Sequence, residues 1–103
     1  MENVNRKLFH ACQKGSINEI EVALSEGADI DAFDNLGYTP LLIAVFFFQI
    51  KAVEYLCEKG ANVNLCKKGA YTPLDMAYMY CEDAIKVLRK NGAKRYDELY
   101  GSK

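Results

Sequence analysis

The sequence has no apolar segment long enough to cross a membrane and no excess of positive charge. Its longest apolar run, Leu41–Phe48, has eight residues, whereas a membrane span needs roughly 20. Its 13 basic and 14 acidic residues give a net charge of −1, so the chain lacks the broad basic field on which non-specific nucleic-acid binding depends. We therefore expect neither a membrane nor a nucleic acid among its partners.

Metal ligands and export signals are also scarce. His10 is the only histidine, and the four cysteines form no CxxC pair, so a zinc site is not expected. The amino-terminal segment, MENVNRKLFHACQKG, lacks the long apolar stretch of a secretory signal, which indicates a cytoplasmic protein with reduced thiols. With 50% hydrophobic and 26% charged residues over 103 positions, the chain has the composition of one folded domain.

A sequence repeat runs along the chain in a constant register. The tripeptide Thr39-Pro40-Leu41 recurs as Thr72-Pro73-Leu74, and residues 27–44 align with residues 60–77 without a gap. Three alanines recur at the same spacing of 33 residues, at Ala11, Ala44 and Ala77, and the glycine-alanine pairs that begin at Gly27, Gly60 and Gly92 recur after 33 and then 32 residues. Marks of three kinds in one register indicate a true repeat.

Each repeat contains the signals for two short helices and a loop. Thr39 and Thr72 are suited to cap a first helix, and the proline after each suits the first helical position. The second helices carry apolar residues that we expect to face inward, namely Ile17, Ile20, Val22 and Leu24, then Ile50, Val53 and Leu56, then Ile85, Val87 and Leu88. The glycines end these helices in a left-handed conformation, and segments 28–38 and 61–71 are predicted to form extended turns or β-hairpins.

These features resemble ankyrin repeats, in which a TPL tripeptide opens each unit and the units recur every 33 residues, as Thr39 and Thr72 do here. The resemblance covers residues 5–94 and implies a single domain over residues 1–103. Its repeats run approximately over 5–33, 34–66 and 67–94, and a polar tail follows over 95–103. The implied fold is an all-α solenoid, a stack of helix-turn-helix units with short β-hairpin loops.

The chain departs from the family pattern at three kinds of position. The histidine that usually follows TPL is replaced by Phe9, Leu42 and Asp75. The glycine between the two helices is kept as Gly15 but becomes Phe48 and Cys81, so those turns need another conformation or carry strain. The third repeat is one residue short near Glu82 and Asp83.

The residues that carry chemistry elsewhere have structural explanations here. His10 aligns with Ile43 and Met76, which predicts a partly buried imidazole and no catalytic role. Among the cysteines, Cys12 is expected to be partly buried, Cys57 is expected in the core, and Cys66 is expected to be the most exposed. Asp29 and Asp31 could suggest a cation site, but hairpin hydrogen bonding is favoured. We predict no enzyme activity, no catalytic residue, no cofactor and no metal.

The resemblance implies that a partner binds the concave face formed by loop tips and first helices. By register, the candidate partner-binding residues are Gln13, Lys14, Phe33, Asn35, Leu36, Tyr38, Phe46, Phe47, Cys66, Lys68, Tyr71, Met79 and Tyr80. Nearly two-thirds are aromatic or aliphatic, and such side chains are enriched in interface cores. In the run of three phenylalanines, Phe46 and Phe47 are expected on this face and Phe48 in the core.

The sequence therefore predicts a non-catalytic module that binds another protein. A chain of three repeats would act as an inhibitor, an antitoxin-like neutraliser or an adaptor, as a monomer or a weak homo-oligomer. The alternative is a structural protein that self-associates through the same aromatic patch.

Overall fold

The computed structural model describes residues 3–101, which form seven α-helices and, within that range, no β-strand. The helices are α1 (Val4–Lys14), α2 (Ile17–Ser25), α3 (Pro40–Phe46), α4 (Ile50–Glu58), α5 (Pro73–Tyr80), α6 (Asp83–Lys90) and α7 (Tyr96–Tyr100). The first six are three helix pairs, stacked into a body of 44 × 24 × 20 Å. The structure confirms the all-α repeat stack.

The first helices begin at the threonines that the sequence indicates. Thr39 Oγ1 accepts a hydrogen bond of 3.1 Å from the Leu42 N–H, and Thr72 Oγ1 accepts one of 3.1 Å from the Asp75 N–H. The prolines that follow occupy the first helical positions, where no N–H is needed. Each threonine therefore satisfies a donor that the helix itself leaves unpaired.

The core lies between two rows of helices. The first helices pack α1 on α3 and α3 on α5, while the second helices pack α2 on α4 and α4 on α6. One leucine and one alanine per first helix are each at most 1% exposed, at Leu8, Leu41 and Leu74 and at Ala11, Ala44 and Ala77. The small alanines allow the helices of neighbouring repeats to approach closely.

The second helices confirm most of the predicted core but not all of it. Ile20, Val53, Leu56 and Leu88 are fully buried. Val22 is exposed, so its predicted inward position is wrong. It lies two residues after Ile20, and a helix turns each residue by about 100°, which carries Val22 to the opposite face.

Of the two predicted alternatives for the loops between repeats, the structure shows turns and, within residues 3–101, no β-hairpin. Each second helix ends in a left-handed glycine, at φ +103° for Gly27, +93° for Gly60 and +87° for Gly92. The N–H of the residue after each glycine donates a hydrogen bond to a carbonyl in the last helical turn, as the Ala61 N–H does to the Leu56 carbonyl at 3.0 Å. The rest of each loop is held by turns that side-chain and backbone hydrogen bonds form.

The two departures at the inter-helix turn are resolved differently. Gly15 has φ +75°, and Phe48 takes a similar left-handed conformation at φ +62°, which is strained for a residue with a Cβ. Cys81 has φ −146°, so the shortened third repeat uses another path. Phe48 lies beyond the end of α3 and is 61% exposed, so its predicted place in the core is wrong.

The tail after the third repeat contains a helix that the sequence analysis missed. Helix α7 lies against the third repeat through Asp75, which is only 7% exposed. Asp75 Oδ1 accepts from Arg95 Nε at 3.0 Å, and Oδ2 accepts from the Tyr96 N–H at 2.9 Å. The aspartate that replaces the family histidine therefore anchors the carboxy-terminal end of the stack.

Candidate binding groove

An open groove of about 990 Å³ runs between α1, α3 and the first inter-repeat loop. Most of its lining comes from α1 and the loop, and the rest comes from α3 with the residue that ends it. The lining comprises Asn3, Asn5, Arg6, Phe9, His10, Gln13, Phe33, Asp34, Asn35, Leu36, Tyr38, Ile43, Phe46 and Phe47. The groove thus combines an apolar wall with a polar rim, which is the usual character of a binding surface.

Phe46 is the centre of an aromatic cluster at this groove. Its ring centroid lies 5.3 Å from that of Phe47 and 5.5 Å from that of Tyr80, both in edge-to-face geometry, and 6.4 Å from that of Tyr38. These are the separations at which aromatic rings attract one another. Phe46 is 37% exposed and Phe47 is 40% exposed. The cluster is therefore packed internally and still presents apolar surface to solvent.

The loop tip that forms one wall is held by Asp34. Its Oδ1 accepts from the Leu36 N–H at 2.9 Å and from the Tyr38 N–H at 2.8 Å, and the Asp34 N–H donates to the Tyr38 carbonyl at 2.8 Å. This arrangement leaves the Leu36 side chain 80% exposed. The loop therefore has a defined backbone with an apolar tip.

A ladder of side-chain hydrogen bonds fixes each loop to the preceding repeat. The Asp29 N–H donates to Asn5 Oδ1 at 2.8 Å, the Asn62 N–H to Asp31 Oδ1 at 2.9 Å, and the Lys94 N–H to Asn64 Oδ1 at 2.7 Å. Asp29 Oδ1 also accepts from the Asp31 N–H at 2.9 Å. The predicted hydrogen-bonding role of Asp29 and Asp31 is confirmed. Within residues 3–101, no three or more His, Cys, Asp or Glu side chains are grouped so that they could hold a metal ion.

The structure brings most, but not all, of the candidate partner-binding residues together. Gln13, Phe33, Asn35, Leu36, Tyr38, Phe46 and Phe47 line the groove, and Tyr80 joins them through the ring of Phe46. Lys14 lies on another surface, where its Nζ pairs with Glu19 at 2.9 Å. The remaining four lie outside the groove lining, namely Cys66, Lys68, Tyr71 and Met79.

The sequence analysis missed most of the contribution of α1 to this groove. His10 is exposed and lines it, so its predicted partly buried position is wrong. Arg6 and Phe9 lie close by on the same face, and Ile43 is the register equivalent of His10 in α3. The repeat register gave the wrong expectation here, because its equivalents Ile43 and Met76 are buried whereas His10 is exposed.

The thiols also differ in part from expectation. Cys12 is fully buried, and this burial raises the pKa of its thiol to about 12. Cys81 is buried as well, whereas Cys57 and Cys66 are both partly exposed. Cys57 packs against the core but is only partly buried, so its predicted burial is confirmed in part. Burial, followed by the charge of Asp75, raises the pKa of Cys66, so this thiol lacks the lowered pKa of a reactive nucleophile.

Comparison with known proteins agrees with the fold. A family model described as ankyrin repeats in three copies matches residues 8–97. The chain belongs to the ankyrin repeat family. Ankyrin repeats generally mediate protein–protein interaction and are typically non-catalytic. No helix within residues 3–101 has both the length and the apolar character of a membrane span.

The relatives include large enzymes and small repeat proteins. The E3 ubiquitin-protein ligase Ufd4 of Drosophila melanogaster is 34% identical over 89% of this chain, which spans 3% of that ligase. The E3 ubiquitin-protein ligase hecd-1 of Caenorhabditis elegans is 30% identical over 89% of the chain and 4% of the ligase. The putative ankyrin repeat protein YahD of Escherichia coli is 29% identical over 86% of the chain and 43% of YahD. The chain thus spans less than half of each of these relatives.

Proposed function

We propose that this ankyrin repeat protein is a non-catalytic module that captures another protein in the groove between α1, α3 and the first inter-repeat loop. The observation that carries the proposal is the aromatic cluster of Tyr38, Phe46, Phe47 and Tyr80, hereafter the aromatic cluster. Its rings come from two repeats and retain solvent-exposed surface. Exposed, clustered aromatic side chains at a concave site are typical of interface centres.

The proposed cellular role is that of an inhibitor, an antitoxin-like neutraliser or an adaptor. We further propose a cytoplasmic location. The four free cysteines support it, because disulfides form mainly in oxidising compartments.

Replacing Phe46 tests the proposal most directly, because its ring contacts three others. The wild-type chain and the Phe46→Ala variant are used as baits in the same extract, and any captured protein is then purified for affinity measurement. Truncation of a central aromatic commonly costs about 2 kcal/mol of binding or more, which is roughly thirtyfold in affinity. We expect Phe46→Ala and Phe47→Ala to lose the partner that the wild type captures.

The matched control is Val22→Ala, because Val22 is an exposed apolar residue on α2, outside the groove. A second control is Lys86→Glu, on the exposed face of α6. Both should keep the partner, and circular dichroism with thermal melting should show that every variant is folded. Loss of binding in Lys86→Glu, with binding kept in Phe46→Ala, would show that the partner uses the opposite surface. A wild type that dimerises through Phe46 would show self-association instead.

A further inference from the structure

The groove lining carries one positive and one negative side chain, whereas residues 1–50, which supply the lining, are acidic overall. Residues 1–50 carry seven acidic and three basic side chains, yet Arg6 and Asp34 are the two formally charged residues in the groove lining. The Asp34 carboxylate accepts two backbone hydrogen bonds from its own loop, which hold its Oδ1 against the loop backbone. Arg6 is exposed and forms no ion pair with any residue in 3–101.

A second cation lies against the loop wall. Lys67 Nζ is 4.1 Å from the ring centroid of Phe33, in cation–π geometry. The stem of Lys67 passes close to Gly37, with Cγ 3.2 Å from the place that a Cβ there would take. Lys67 is therefore an exposed cation next to the apolar wall, outside the groove lining itself.

Four of the six acidic side chains within residues 3–50 are engaged elsewhere, whereas Glu21 is exposed on α2 and Asp34 lines the groove. Glu26 pairs with Lys7 at 3.1 Å, and Glu19 pairs with Lys14 at 2.9 Å. Asp29 and Asp31 accept backbone hydrogen bonds within the loop ladder. Arg6 therefore lines the groove, Lys67 lies next to it against Phe33, and Asp34 is the acidic residue of the lining.

We infer that the groove receives a segment of partner protein in which an apolar side chain stands next to acidic residues. This inference rests on the proposed function. The apolar side chain would pack on Phe46 and Phe47, and the acidic residues would face Arg6 and Lys67. Complementary rim charges mainly set the orientation and the association rate of a complex, while the apolar contacts supply most of its affinity.

A displayed library of random dodecapeptides, selected against the full chain, tests the inference. We expect the selected peptides to combine aromatic or aliphatic residues with aspartate or glutamate. Their binding should be lost in Phe46→Ala and should fall roughly three- to tenfold in Arg6→Glu and in Lys67→Glu. It should also weaken as the salt concentration rises, because exposed charges are screened.

Matched controls separate charge from structure. Arg6→Lys and Lys67→Arg keep the charge and should bind nearly as well as the wild type. Lys86→Glu makes the same charge change on α6 and should have no effect. Replacing the acidic residues of a selected peptide by lysine should weaken the binding of that peptide to the wild type. The lysine peptide should bind Arg6→Glu more tightly than the original acidic peptide does.

The other outcomes overturn the inference in distinguishable ways. Selected peptides that require Phe46 but lack acidic residues, or that ignore Arg6→Glu, would refute the acidic partner and leave the proposed function intact. Peptides that bind equally well to Phe46→Ala, or a selection that yields no groove-binding peptide, would count against the groove itself. A concentration-dependent dimer abolished by Phe46→Ala would show that a second copy of the chain fills it.

Discussion

Asp75→Ala should lower the free energy of unfolding more than the other polar substitutions proposed below, Arg95→Ala and Thr39→Ala. Its carboxylate accepts four hydrogen bonds, from Arg95 Nε, the Tyr96 N–H, the Thr72 N–H and Thr72 Oγ1, at 2.9 to 3.2 Å. It thereby completes the start of α5 and attaches α7 to the stack. Asp75→Ala removes both functions at once.

The magnitude follows from what the substitution leaves behind. Thr72 is completely buried, so its N–H would lose its partner without access to water, which costs about 1–3 kcal/mol. The Thr72 hydroxyl, which donates to Asp75 Oδ2 at 3.1 Å, also loses its acceptor, and this adds about 1 kcal/mol. The bonds to Arg95 and Tyr96 face partly exposed partners that water can rehydrate, so they contribute less. We expect a loss of about 2–4 kcal/mol in the free energy of unfolding.

The pH dependence offers an independent check. Burial acts to raise the pKa of Asp75, but hydrogen bonds from Arg95, Tyr96 and Thr72 outweigh it and lower the pKa. A carboxylate with a lowered folded-state pKa stabilises the fold above its unfolded pKa of about 3.9 and loses this effect as pH falls through the folded value. The stability difference between wild type and Asp75→Ala should therefore be largest near neutral pH and shrink in acid.

Urea denaturation at several pH values measures both effects, and amide hydrogen exchange at Tyr96 reports on α7. Arg95→Ala is the informative companion, because it removes the ion pair but keeps the bonds to Thr72. It should accelerate exchange in α7 and destabilise the fold less than Asp75→Ala. An unchanged free energy of unfolding in Asp75→Ala, or a difference that grows as pH falls, would refute the anchoring role of Asp75.

Two further predictions concern the helix starts and the thiols. Thr39→Ala should lower the free energy of unfolding by about 0.5–2 kcal/mol, measured by denaturation, and an unchanged value would contradict the observed bond to Leu42. With a mild alkylating reagent, Cys57 and Cys66 should react in the native protein, while Cys12 should react only after unfolding because it is buried and its thiol has a pKa of about 12. Mass mapping that finds Cys12 labelled as fast as Cys66 would contradict its place in the core.

The helix starts and the inner faces were predictable because they rest on short-range physics. Thr39 and Thr72 cap the helices they precede, and the leucine and alanine of each first helix recur in the core once per repeat. A cap involves neighbours within three residues, and a buried face follows the helical period. Such features can be read from one repeat and checked against the next.

Apart from Val22, which the helical period itself places outward, the main differences lie where the register breaks or where residues distant in sequence meet. Asp75 was noted as a missing histidine, but its partners Arg95 and Tyr96 lie 20 and 21 residues further along the chain, and no local pattern links them. The register aligns His10 with the buried Ile43 and Met76, whereas His10 itself is exposed and lines the groove. The groove between α1 and α3 joins residues from different repeats, so only the register could indicate it.

The three phenylalanines illustrate how folding and binding place different demands on one segment. Folding needs little from Phe46, Phe47 and Phe48, because α3 is already buried through residues 41–45 and ends at Phe46. At Phe48, a glycine like Gly15 would adopt the left-handed turn without the roughly 1–2 kcal/mol that a side chain costs there. Three exposed phenylalanines, one of them in a strained turn, therefore lower stability and solubility together. Such a combination is consistent with the proposed binding role, since a binding partner that covers these rings would bury their apolar surface.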